Sequence, residues 1–227
     1  MEESSMAEIL VEGAKVTRRF QQGDVDVYAL RPASFMIHAG DRIALLGRSG
    51  SGKSTLLHLI ADLDAPTSGQ LTWPALGRHG ALRPKHIGIV FQAPNLIPTL
   101  SVVENVELPL RLAGDIPSPR SEAMKALEAV GLVSIADKLP DELSGGQAER
   151  VALARAIAPK PRLILADEPT GQLDHQMARR TIDALLRSAE GTDTAIVVAT
   201  HDSSVAERMS ITWLMEHGQL QAVMGEA

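Results

Sequence analysis

Eight residues, Gly47-Arg48-Ser49-Gly50-Ser51-Gly52-Lys53-Ser54, satisfy the phosphate-loop pattern G-x-x-x-x-G-K-[ST]. The chemistry open to them is capture of a polyphosphate. The glycines at 47, 50 and 52, spaced by Ser49 and Ser51, let backbone N–H groups wrap phosphate oxygens, and a helix start adds positive potential. Lys53 then reaches the β- and γ-phosphates and the Ser54 hydroxyl can ligate Mg²⁺. A flexible Gly/Ser turn is the bland alternative. The context favours the phosphate loop, because an apolar run at 42–46 precedes it and a helical pattern (Leu56, Leu57, Leu59, Ile60) follows it over 53–61.

Other polar groups stand at the ends of apolar runs. Asp167-Glu168 closes Leu163-Ile164-Leu165-Ala166, where a neighbouring strand would aim both carboxylates at the same loop. Asp167 suits the Mg²⁺ shell, usually through coordinated water, and Glu168 the orientation or deprotonation of the water attacking the γ-phosphate. His201 follows the run at 195–199, a place from which it can hydrogen-bond the γ-phosphate and the attacking water, whereas His58, inside the loop's helix, reads as structural. Gln92 closes Ile87-Gly88-Ile89-Val90-Phe91 and either senses Mg²⁺ and the water or only caps a strand. A second glycine-rich start, Leu143-Ser144-Gly145-Gly146-Gln147, precedes an apolar helical pattern at Val151, Leu153, Ala154 and Ile157. It reads as an anion site with Ser144 as N-cap, or simply as a capped helix.

These groups need a scaffold to converge. Short β-rich runs at 9–20 and 25–30 flank a hairpin turn at 21–24, and 35–38 continues the pattern. Further strands are expected at 70–73 and 87–92, after breaker residues at 64–69. Between about 93 and 160 helical patterns replace strands, as at 121–130 with Gly131 as a stop. The apolar runs at 163–166 and 195–199, separated by a helical segment at 179–188, indicate a parallel sheet covered on both faces, with its site beyond the strands' carboxyl ends.

Composition narrows the class. The chain has 227 residues, 44% hydrophobic and 22% charged, an ordinary balance for one large domain. It lacks cysteine, which excludes disulfides, thiolate metal sites and thiol nucleophiles. No apolar run approaches the about 18 residues that span a bilayer, and the acidic start MEESSMAEIL does not read as a signal peptide, so a cytoplasmic chain is expected. A net charge of −6 argues against a nucleic-acid partner.

Taken together, the motifs resemble one family, the ATP-binding subunits of ABC transporters, from about residue 9 to 218. Residues 47–55, Thr55 included, match Walker A; Gln92 the Q-loop; 143–147 the signature; 163–168 Walker B; Gly171-Gln172-Leu173-Asp174 the D-loop; and His201 the H-loop. The resemblance implies an α/β fold: a P-loop NTPase core with a mixed, mostly parallel sheet, an N-terminal antiparallel β subdomain and a helical insertion. Residues 1–92 and 161–227 would form the core, and about 93–160 a helical subdomain carrying the signature.

It further implies a head-to-tail pair, most simply of identical chains, with each MgATP held between Walker A of one subunit and the signature of the other. Ser144 and Gly146, with Gly145 and Gln147 beside them, would meet the partner's γ-phosphate, and Asp174 would lie at the seam. Phe20, in Val16-Thr17-Arg18-Arg19-Phe20, matches the aromatic that stacks on adenine. The residues alone would give Phe20 a core role, and Tyr28 is a rival for the stacking position. The segments 91–106 and 165–171 are similar to the branch containing macrolide exporters, lipoprotein-release complexes and the cell-division ATPase. Gln172 and Ala148-Glu149 depart from that branch's usual residues. The expected function is a Mg²⁺-ATPase subunit, peripheral on the inner face of the cell membrane, that drives a separate permease. The alternative is a non-transporting force generator controlling an extracytoplasmic enzyme.

Overall fold

A computed structural model describes residues 7–23, 25–114, 116–171 and 173–224. Two long strands open the chain, β1 (Ile9–Gln22) and β2 (Val25–His38). They pair antiparallel through several register shifts, which let one strand run through the whole of 25–38, where the pattern had suggested two pieces. The strands also extend further into the hairpin than the 21–24 turn expected, leaving Gly23 as its described residue. Then come β3 (Arg42–Leu46), α1 (Lys53–Ile60), β4 (Ser68–Thr72) and β5 (Ile87–Val90).

Three helices follow, α2 (Val102–Ala113), α3 (Pro119–Ala129) and α4 (Gly145–Ile157). Ser101 and Glu104 form a capping box at the start of α2, and Gly131, at φ +71°, takes the left-handed turn after α3 that a Cβ would strain. The chain closes with β6 (Leu163–Asp167), α5 (His175–Ser188), β7 (Ala195–Thr200), α6 (Ser203–Ala206), β8 (Ile211–Glu216) and β9 (Gln219–Met224).

The strands form two sheets. One is three-stranded and antiparallel, ordered β2-β1-β4; the other has six strands, β5-β6-β7-β3-β8-β9, parallel except for β9. The continuous apolar runs of β6 and β7 are explained by burial on both faces. Ile164, Ala166, Ile196 and Val198 join the core built with α2, α3, α4 and α5, while Leu163, Leu165, Ala195 and Val197 join Leu56, Leu59, Trp213 and the small sheet on the other side.

The signature helix α4 holds one polar group at odds with its surroundings. Glu149 lies on the buried face, and its Oε2 is buried with no hydrogen-bond partner among the described residues. Burial pushes its carboxyl above the ordinary 4.5. Because the folded value is raised, the associated stability is present below about 4.5 and lost as the pH rises through the folded value. Glu149→Gln should therefore raise the melting temperature relative to wild type more at pH 8 than at pH 5. Thermal denaturation at the two pH values checks this, and equal shifts would count against it.

Candidate active site

The phosphate loop is shaped by close backbone approach. A Cβ on Gly47 would lie 2.3 Å from the Met215 carbonyl oxygen of β8, so only glycine passes there. Gly52 has φ +109°, and a Cβ on it would meet the Ala29 carbonyl oxygen of β2 at 2.2 Å. Gly52 is also the N-cap of α1 and offers no side-chain cap, which leaves that helix start to other acceptors. Ser51 ties the loop to the β8–β9 turn, its carbonyl accepting from Gly218 N at 2.9 Å, while its own hydroxyl is buried without a partner among the described residues. The loop opens on a cavity of about 670 Å³ lined by residues 46–51 and 214–217, His201 and Ser203.

Sheet register delivers the other groups. Val90 pairs with Ala166, Asp167 with Ala199 and Leu46 with Thr200, so the carboxyl ends of β5, β6, β7 and β3 stand level beside the loop. Lys53, 6% exposed, donates through Nζ to Gly47 O at 2.7 Å and Arg48 O at 3.3 Å. The same Nζ lies 3.3 Å from Glu168 Oε1, and His201 Nδ1 lies 3.0 Å from Glu168 Oε2. Glu168 thus stands between a buried cation and an exposed imidazole. Its backbone takes φ +47°, unusual for a residue with a Cβ, and its N–H donates to Ala199 O at 2.8 Å. Strain of this kind gathers where a side chain must be aimed for function.

Asp167 is buried beside it. Burial is the main cause that pushes its carboxyl above the ordinary range; a hydrogen bond from Ser54 opposes the shift and the Glu168 charge adds to it. One carboxylate oxygen, Oδ1, is buried with no hydrogen-bond partner among the described residues. An acceptor held against a hydroxyl with one oxygen unsatisfied suits a divalent cation. Lys53, Ser54, Asp167, Glu168 and His201 therefore form one cluster, with Thr55 in the first turn of α1 and Ser49 and Gly50 exposed at the loop's rim.

The remaining sequence-derived residues lie elsewhere. Gln92 is exposed two residues beyond β5. Ser144 caps α4 as its sequence suggested, in a capping box with Gln147: the Ser144 hydroxyl accepts from Gln147 N at 3.3 Å, and Gln147 Oε1 from Ser144 N at 2.8 Å. Ser144 and Gly145 are exposed, and a Cβ on Gly146 would lie 3.0 Å from Leu173 of the D-loop. Among the described residues no hydrogen bond joins 144–147 to 47–55. Asp174 is the N-cap of α5, accepting from Met177 N at 2.8 Å. Gln172 lies outside the described residues. Phe20 and Tyr28 are both exposed on the small sheet, at 43% and 44%.

Two positioning residues escaped the sequence reading. Asn105 of α2, fully buried, accepts from Ile97 N and donates to the carbonyls of Ile97, Leu100 and Ser101. Arg155 of α4 donates to the carbonyls of Pro94 and Asn95 at 2.7 and 2.8 Å. Together they clamp the loop after Gln92 from two helices. The only sequence signal was a polar residue inside each apolar helical pattern.

A family model described as "ABC transporter" matches residues 30–171. The chain is 40% identical over 225 residues to the lipoprotein-releasing system ATP-binding protein LolD of Legionella pneumophila (strain Paris), covering 96% of this chain and 99% of that protein. It is 37% identical over 230 residues to LolD of Shewanella sp. (strain MR-4), covering 98% and 100%. Among solved structures it superimposes with a TM-score of 0.88 and 34% identity on the ATP-binding cassette MJ0796, in a dimeric post-hydrolysis state bound to ADP and Pi, over 96% of this chain and all of that one. The structure of cbiO1 from Clostridium perfringens, part of the ABC transporter complex cbiONQ, gives 0.79 and 28% over 94% of this chain and 87% of that one. A phosphate loop whose lysine meets a glutamate poised against a histidine, on a fold shared end to end with ATP-binding cassettes, places the chain in the ABC transporter family as one of its ATP-binding, ATP-hydrolysing subunits.

Proposed function

We propose that two copies of the chain close head to tail around two MgATP and drive a separate membrane permease in lipoprotein release. One observation carries the pairing. Two glycine-rich helix starts suit an anion, and among the described residues only the first has catalytic groups beside it: Lys53, Glu168 and His201 gather at α1, whereas the start of α4 offers Ser144 and Gly145 to solvent, with Gly146 half-buried beside them. Each start supplies what the other lacks, so a complete site needs one of each from two chains. The dimeric state of the MJ0796 cassette supports the same reading.

In this reading Lys53 and the N–H groups of 47–54 bind the β- and γ-phosphates. The incoming γ-phosphate competes with Glu168 for the Lys53 ammonium, and the freed carboxylate orients the attacking water and takes its proton. His201, held through Nδ1 by Glu168, keeps Nε2 for the γ-phosphate. Ser54, Asp167 and Gln92 would hold Mg²⁺, which when bound neutralises charge on the phosphates. Phe20 stacks on adenine, and Asp174 lies at the seam. Residues of about 93–160 act as a subdomain carrying the signature against the partner.

No helix among the described residues is long and apolar enough to cross a membrane, so force would reach the membrane through a second polypeptide. The LolD relatives support the lipoprotein branch and a position on the inner face of the membrane.

Ser144→Arg tests the shared site. A long cation at the exposed cap should block closure onto a partner while leaving nucleotide affinity of the isolated chain within about twofold, as for an exposed position remote from the phosphate loop. Sedimentation with ATP should then show monomer only. An undiminished ATP-driven dimer would return 144–147 to the role of a capped helix.

A further inference from the structure

Phe20 and Arg18 lie two residues apart on β1, and the Arg18 guanidinium sits 4.5 Å from the Phe20 ring centroid. That guanidinium is not free to wander. Its Nε donates to Asp64 Oδ2 at 2.8 Å in an ion pair about three-quarters buried, with side-chain exposures of 25% and 27%. Asp64 is itself fixed, its Oδ1 accepting from Ala65 N at 2.8 Å. The two segments are joined on either side of the pair: Thr17 and Ser68 share a hydroxyl hydrogen bond of 2.7 Å, and Arg19 N donates to Thr67 Oγ1 at 3.0 Å. Asp64 follows shortly after α1, the helix that begins at the phosphate loop.

We infer that Arg18 is a positioning residue for the nucleobase: anchored by Asp64, it covers one face of the Phe20 ring and sets the ring so that its opposite face receives adenine. The inference rests on the reading of Phe20 as the base-stacking residue. Two physical effects favour it. A guanidinium over an aromatic face is attracted by the ring quadrupole. A ring already ordered in the free protein also loses less side-chain freedom when the base arrives. Asp64 closes the segment that leads from the phosphate loop through α1, so the anchor of Arg18 and the phosphate contacts belong to one continuous stretch of chain. Tyr28, the rival aromatic, has no such anchor: its arginine, Arg31, is 5.9 Å from the ring and donates to a backbone carbonyl, that of His217.

The test is calorimetric titration of ATP and of inorganic tripolyphosphate, which has no base, into wild type, Arg18→Ala, Arg18→Lys, Phe20→Ala and the double alanine variant. Arg18→Ala should weaken ATP binding about fivefold, the size of one cation–ring contact, and leave tripolyphosphate binding unchanged. Arg18→Lys should recover part of the loss, and Arg18→Ala should add nothing once Phe20 is alanine. If Phe20→Ala weakens ATP binding while Arg18→Ala does not, or if the two losses simply add, the inference is overturned and the stacking reading stands. If Phe20→Ala has no effect, the stacking reading falls and the inference with it. An equal loss of tripolyphosphate affinity in Arg18→Ala would also overturn it, since Arg18 would then be supporting the loop and not the ring.

Discussion

Glu168→Gln should reduce steady-state ATP hydrolysis at least about 100-fold while leaving ATP affinity intact or somewhat tighter, since it removes the general base and, with it, the charge that competes with the γ-phosphate for Lys53. The substitution is close to isosteric. It keeps a side chain of the same length between Lys53 and His201, so the geometry of 3.3 Å on one side and 3.0 Å on the other should survive. What it loses is the capacity to accept a proton from water. The separation of effects follows from the proposed roles, in which Lys53 and the loop's N–H groups would bind the phosphates and Glu168 would serve the water. A single-turnover assay with calorimetry on the same sample distinguishes the two quantities. Turnover within a few fold of wild type would remove Glu168 from its proposed role.

Lys53→Ala should have the opposite signature, a loss of ATP affinity itself. Hydrogen bonds to a charged partner contribute about 1.5–3 kcal/mol each, so removing this contact should raise the dissociation constant roughly 10- to 100-fold. The residue is nearly buried and already organised by the Gly47 and Arg48 carbonyls, so little ordering cost offsets its contact with phosphate. Its removal also leaves Glu168 without its cation in a largely buried position, and some loss of melting temperature should accompany the loss of affinity. Unchanged ATP binding in a calorimetric titration would contradict the assignment.

Legibility of these residues in the sequence differed for physical reasons. Gly47–Ser54, Asp167, Glu168 and His201 could be found because each sits where an apolar strand ends, and a strand buried on both faces leaves a continuous run that stops abruptly at the site. Ser144 was legible because an N-cap is a local device. The clamp made by Asn105 and Arg155 was not, since both reach backbone carbonyls across a loop whose path depends on tertiary packing. The strand pair β8–β9 was overlooked although its signal was present: Trp213 and Met215 alternate inward, and His217 and Gly218 take positive φ at the turn. β8 and the turn after it wall the cavity on which the phosphate loop opens, and β9 closes that edge of the sheet.

If one chain holds halves of two different sites, the Glu168→Gln chain should sediment as a stable dimer binding two ATP per pair when ATP and Mg²⁺ are present, and as a monomer without nucleotide. A Glu168→Gln chain saturated with ATP that remains monomeric would contradict that arrangement.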